Sequence, residues 1–134
     1  MNLFVDTSVW SLALRRDPPS TRPEVAFLAR ALESGDSIFT TGLVLQELLQ
    51  GFMGPRARNG VVERFSALPF LVPDREDHIR AADLRNKCRR RGVQVATIDA
   101  LLAQLCIRHD LVMLTTDADF TRIARAQPLS VWPG

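Results

Sequence analysis

Short apolar runs alternate along this chain with stretches in which apolar positions recur every three or four residues. Residues 3–5, Leu-Phe-Val, form an apolar run that ends at Asp6 and predicts a buried strand. Residues 8–16 predict a short helix, stopped by Asp17, Pro18, Pro19 and Ser20. Pro23 opens a second helix at the early position proline favours; Val25, Phe27, Leu28, Ala31 and Leu32 give its apolar side, and Gly35 ends it. Residues 37–41 are strand-like. Residues 43–52 are apolar on nearly every side and predict a buried helix, closed by Gly51, Gly54 and Pro55. An amphipathic helix over 56–68 follows, weakened by Gly60, and then a brief strand over 70–72. Residues 74–91 predict a long charged helix whose thin apolar side reads as Ile79, Ala82, Leu84 and Cys88. Gly92 stops it. Thr97 opens a helix over 98–108, and a strand over 111–115, a helix over 120–126 and a last strand over 129–132 complete the chain.

Strands and helices thus alternate from end to end. That order predicts an α/β three-layer sandwich around a mostly parallel sheet. The 134 residues suit one domain, 1–134, and no linker or repeat divides them. Apolar residues make up 46% and charged residues 24%, so a core can form without staples. Cys88 and Cys106 sit in helical patterns without a CxxC spacing, which speaks against a disulfide framework. No apolar run approaches the roughly 18 residues of a membrane span. The first residues begin a strand and carry no basic leader, so the expected compartment is the cytoplasm.

In open α/β sheets, functional groups collect outside the carboxyl ends of the strands. Asp6 ends the first strand there. Asp117 follows the strand over 111–115, and Asp119 lies two residues on. Glu47 stands within the apolar helix over 43–52, and Asp99 in the first turn of the helix over 98–108. Singly, each acid has a structural explanation. Asp6 could start a turn or cap a helix, Asp99 suits the dipole of a first turn, and Asp119 could cap the helix over 120–126. Glu47 is harder to place, because an ionised carboxylate on an all-apolar helix costs several kcal/mol unless paired. Together, carboxylates gathered at one sheet edge repel and raise one another's pKa values, and a divalent cation relieves that. An all-oxygen donor set, with His78 and His109 isolated, points to Mg²⁺, or Mn²⁺, and away from zinc. Such an ion suits phosphodiester hydrolysis, and no Ser/His/Asp or Cys/His nucleophile set competes with it.

The sequence resembles the PIN-domain ribonucleases, in particular the toxin half of VapBC-type toxin–antitoxin pairs. The resemblance spans essentially the whole chain. It rests on residues 3–10 (LFVDTSVW), the Glu47 helix, residues 97–103 (TIDALLA) and residues 115–120 (TTDADF), matched in order and spacing. It implies a PIN-like fold with a parallel sheet of about five strands and a metal cluster of Asp6, Glu47, Asp99 and Asp117, with Asp119 as a nearby fifth acid. Asp6 and Asp99 are first choices for direct Mg²⁺ contact. Glu47 and Asp117 would hold a second ion or orient water, and Ser8 with Thr115 or Thr116 would organise the site. The resemblance further implies an endoribonuclease acting on RNA, a homodimer, and inhibition by a small cognate antitoxin that wraps the toxin with a C-terminal helix.

Other readings are weaker. A phosphotransfer domain would also place an aspartate after a parallel strand, but needs a late lysine at a strand end, and Lys87 is the chain's one lysine. A non-catalytic RNA-binding or scaffold protein is opposed by the intact acid set, and a DNA nuclease by the lack of long inserted helices. Arg89, Arg90 and Arg91 could clamp RNA or simply be a solvated helix end. Trp10 could stack on a base but reads better as core or dimer packing. Leu12, Leu14, Phe27, Leu48, Leu49 and Phe52 could line a partner groove, with core packing the simpler account. The net charge of +2 gains meaning once five of the 15 acids are assigned to one site, because 17 basic residues then face 10 acids elsewhere, or +7. A basic scaffold around an acidic metal pocket suits a polyanionic substrate.

Overall fold

The computed structural model describes residues 1–51 and 54–134. Phe52, read above as the end of the third helix, lies outside them. Its centre is β1 (Asn2–Val5), whose Leu3, Phe4 and Val5 have no exposed surface. Each such side chain contributes roughly 1.5–3 kcal/mol by leaving water. β1 pairs in parallel with β2 (Ser37–Thr41) on one side, Leu3 opposite Ile38, and with β4 (Val112–Leu114) on the other, Leu3 opposite Val112. β3 (Phe70–Leu71) extends the first side and β5 (Ser130–Val131) the second. The five-stranded order is β3-β2-β1-β4-β5, with every pairing parallel.

The chain therefore builds outward from β1 to β3, then returns to add β4 beside β1. The direction of winding reverses between β1 and β4, where a crevice opens past the strand ends. α1 (Thr7–Ala13), α2 (Pro23–Ser34), α3 (Gly42–Gln50) and α4 (Pro55–Ser66) fill the connections on the outward leg. α5 (Arg75–Arg90), α6 (Thr97–Arg108) and α7 (Ala118–Ala126) belong to the return and pack on one another. Parallel strands in this order are joined almost without exception by right-handed crossovers, a rule that puts the two groups on opposite faces and gives three layers. Gly35 ends α2 in the left-handed region, φ 77°, where a side chain would be strained, and Gly92 does the same after α5 at φ 78°.

Two helices differ from the pattern read in the sequence. α3 is not buried all round. Val44 and Leu48 enter the core, Leu43, Leu45 and Leu49 are half-buried, and Glu47 is exposed. The cost expected for a fully buried carboxylate there shrinks to a partial desolvation, because the helix has one side to solvent. In α5 the inward stripe is Asp77, Ala81, Leu84 and Cys88, while Ile79 and Ala82 are exposed. Asp77 is 1% exposed yet satisfied: it exchanges capping hydrogen bonds with Asp74 and accepts from Arg108 Nη1 at 2.6 Å. Trp10 is a core residue, its ring 5.0 Å from that of Phe65. Leu48 joins that core, Leu14, Phe27 and Leu49 pack against it, and Leu12 is half-buried. No helix among the described residues is long and apolar enough to cross a membrane.

Candidate metal centre

Each acid reaches the crevice because an element ends or begins there. Asp6 is the first residue past β1, and its N–H still pairs with the Leu114 carbonyl of β4 at 3.0 Å. Its own carbonyl starts α1 by accepting from Val9 and Trp10. The side chain does not cap that helix. Instead Asp6 Oδ2 accepts from Ser8 Oγ at 2.8 Å and from Thr115 Oγ1 at 2.9 Å. Both hydroxyls in turn accept backbone N–H groups, Ser8 from Thr116 at 3.1 Å and Thr115 from Asp117 at 2.9 Å. The two hydroxyls also lie 3.3 Å from each other, and either can donate across that contact. Oδ2 is thus held by two donors, and among the described residues nothing bonds to Oδ1. Thr116 thus takes part through its backbone, not its hydroxyl.

Asp117 caps α7, accepting the N–H of Asp119 at 2.9 Å. The capping role read for Asp119 belongs to Asp117, because α7 begins at Ala118. Asp119 itself pairs with Arg122 one turn on, a partner visible in the sequence as an i,i+3 pair but missed there. Asp99 stands in the first turn of α6, whose residues from Ala100 to Cys106 are all buried. One carboxylate oxygen from each of Asp99, Asp117 and Asp119 lies within 4.8 Å of the others. Among the described residues, Asp99 accepts no hydrogen bond.

Electrostatics follow from that packing. Burial, then the charges of Asp117, Asp6, Asp119 and Glu47, push Asp99 up to about 6. The dipole at the α6 N-terminus works in the opposite direction and loses. Glu47 is raised first by partial burial and then by the Asp6 charge, although it is exposed to solvent, and it is not one of the three acids that meet. Cys106 sits behind Asp6; burial first and the Asp6 charge second raise its pKa, so it stays a thiol and offers no nucleophile. Hard oxygen donors that destabilise one another's charge fit a divalent cation such as Mg²⁺ or Mn²⁺. α5 and α6 run antiparallel, tied at one end by Arg108 to Asp77 and at the other by Arg85 Nε to the Val95 carbonyl, 2.7 Å. Arg89, Arg90 and Arg91, all exposed, therefore stand at the Asp99 end of the pair. His78 is exposed, His109 half-buried, and neither joins the cluster.

A carboxylate cluster past the strand ends, at the winding reversal of a five-stranded parallel sheet, is an arrangement that can hold a divalent cation. The chain belongs to the PIN-domain family, whose model matches residues 3–126. Within that family it is 32% identical over 125 residues to Ribonuclease VapC11 of Mycobacterium tuberculosis, covering 92% of each chain. It is equally similar, 32% over 121 residues, to Ribonuclease VapC23 of the same species, covering 75% of this chain and 95% of that one. The fold matches the Rickettsia felis VapBC2 crystal structure, bound to a promoter DNA fragment, with a TM-score of 0.76, 18% identity and 98% of each chain covered.

Proposed function

We propose that this chain is a Mg²⁺-dependent endoribonuclease, acting in the cytoplasm as the toxin of a VapBC-type pair. The carrying observation is the meeting of Asp99, Asp117 and Asp119 beside an Asp6 carboxylate clamped by two hydroxyls. The kinship with VapC ribonucleases supports RNA as substrate and a small VapB-type antitoxin as partner. We further propose, from the family resemblance of the sequence, a homodimer of single-domain chains. Bound among these acids, the ion would supply a water of lowered pKa and neutralise charge on the phosphate under attack. Mn²⁺ would serve the same donors.

The protein's own groups do the positioning. Asp99 and Asp117, with Asp119, would hold the ion, and Asp6 would offer it the oxygen that bonds to no protein group. Ser8 and Thr115 hold Asp6 in one orientation, and the exposed Glu47 adds charge at the margin. Arg89, Arg90 and Arg91 draw the RNA backbone toward the Asp99 end. Purified wild-type protein should cut single-stranded RNA with Mg²⁺, stop with a chelator, and leave a matched DNA strand intact. Asp6→Asn should fold normally and lose cleavage. Equal cleavage by Asp6→Asn would overturn the reading, and Mg²⁺ binding without cleavage would favour a non-catalytic RNA-binding protein.

A further inference from the structure

Beside Asp117 an open cleft of about 790 Å³ runs between α7, the segment after β5 and the residues that lead into α2. Its volume is in the range of pockets that take small organic ligands. Asp117 lines it and also belongs to the acidic cluster, so cleft and cluster share a wall. The other walls carry Arg22, Arg125 and Trp132. Arg125 is exposed and, among the described residues, has no carboxylate within ion-pair distance. Glu24 also lines the cleft and accepts from Arg22 Nε at 3.4 Å and Nη2 at 3.5 Å, so Arg125 is the wall's unpaired guanidinium among the described residues and Arg22 the paired one. The Trp132 ring is half-buried and stacked on Phe27, with centroids 4.4 Å apart and planes at 23°.

We propose that this cleft is a nucleotide subsite of the RNA site: Arg125 and Arg22 take the phosphate next to the scissile one, and Trp132 takes that nucleotide's base. The proposal rests on the ribonuclease reading above. The acid cluster repels a polyanion, so guanidinium groups on the adjoining wall supply the attraction that holds the strand across it. Guanidinium forks match phosphate oxygens better than ammonium does. A tryptophan braced on one face loses little freedom when a base stacks on it, and stacking carries no base code. The subsite therefore provides hold and register, with sequence preference left to other surfaces.

Fluorescence tests it, because Trp10 is buried against Phe65 while Trp132 lines the cleft. Titrating Asp6→Asn protein in Mg²⁺ with a short oligouridylate should quench tryptophan emission, and Trp132→Phe should remove the quench. In that background Trp132→Ala should weaken binding about fivefold to a hundredfold. Arg125→Ala, an exposed change that leaves the melting curve in place, should weaken binding and lower the slope of log affinity against log salt by about 0.7. With Asp6 restored, Arg125→Ala should raise KM for RNA more than it lowers kcat. Unchanged affinity and salt slope in both Arg125→Ala and Arg22→Ala would overturn the subsite, even if wild-type protein cleaves RNA normally. Quenching that depends on Trp132 and Arg125, in a wild-type protein that cuts no RNA, would sustain nucleotide binding in the cleft and overturn the nuclease reading.

Discussion

Replacing Asp99 by asparagine keeps its shape and removes its charge, so it isolates the repulsion stored in the acidic cluster. The carboxyl moves from an ordinary 3.8 to about 6 on folding. In full, that is about 3 kcal/mol of penalty on the ionised form. Asp99 is partly exposed, and solvent screening reduces the figure to about 1–2 kcal/mol. The sign follows from which state holds the proton. A carboxyl with a raised folded pKa adds no penalty below 3.8, where both states are protonated; the penalty grows from 3.8 to about 6 and is complete above. In chelator, Asp99→Asn should therefore be more stable than wild type at about pH 8, and the two should converge toward about pH 4. Thermal melts should separate by about 3–5 °C per kcal/mol. Added Mg²⁺ should raise the wild-type midpoint and leave the variant nearly unmoved, because it has lost a ligand. A variant no more stable than wild type at high pH in chelator would refute the repulsion argument.

Thr115→Val removes the hydroxyl that donates to Asp6 and accepts from Asp117; it should cost about 1–2 kcal/mol in urea unfolding and lower the cleavage rate about tenfold or more, and an unchanged rate would show that Asp6 needs no clamp. Arg108→Ala strips the buried Asp77 of its guanidinium, and since Arg108 is itself partly exposed, the urea midpoint should report a loss of about 1–3 kcal/mol. Arg108→Lys should recover part of it. Cys88 and Cys106 are both buried free thiols, so a thiol reagent should label neither in native buffer and both in denaturant; rapid native labelling would contradict the packing of α5 and α6.

Which parts were legible depends on how local their causes are. The strand before Asp6 shows in three consecutive apolar residues, and the alternation of elements is enough to predict a parallel sheet. The rule that groups collect past strand ends picks out Asp6 and Asp117 without any contact being known. α5 misled because hydrophobicity was weighed above period. Leu84 and Cys88 are four apart and fix the stripe; stepping back from Leu84 reaches Ala81 and then Asp77, an aspartate that no apolar pattern selects. Its partner Arg108 is 31 residues away, so nothing near Asp77 announces that it is satisfied. Glu47 shows the opposite error. Its helix is rich in leucine, but exposure is decided by what covers it, and α3 has one side uncovered. The cleft beside Asp117 joins residues from both ends of the chain, Arg22 to Trp132, and was invisible for the same reason.

The clamp on Asp6 also has a consequence in time. Its two halves are separated by 109 residues, so Thr115 is translated that much later than Asp6. At roughly 5–20 residues per second, β1 waits several seconds on the ribosome for the strand that completes its edge. Until β4 is made, Asp6 lacks its second hydroxyl, and Asp117 and Asp119 do not yet exist. A growing chain therefore carries no finished acidic pocket until β4 and the first turn of α7 have been added. Any protein that restrains it has the whole of that interval in which to be made and folded.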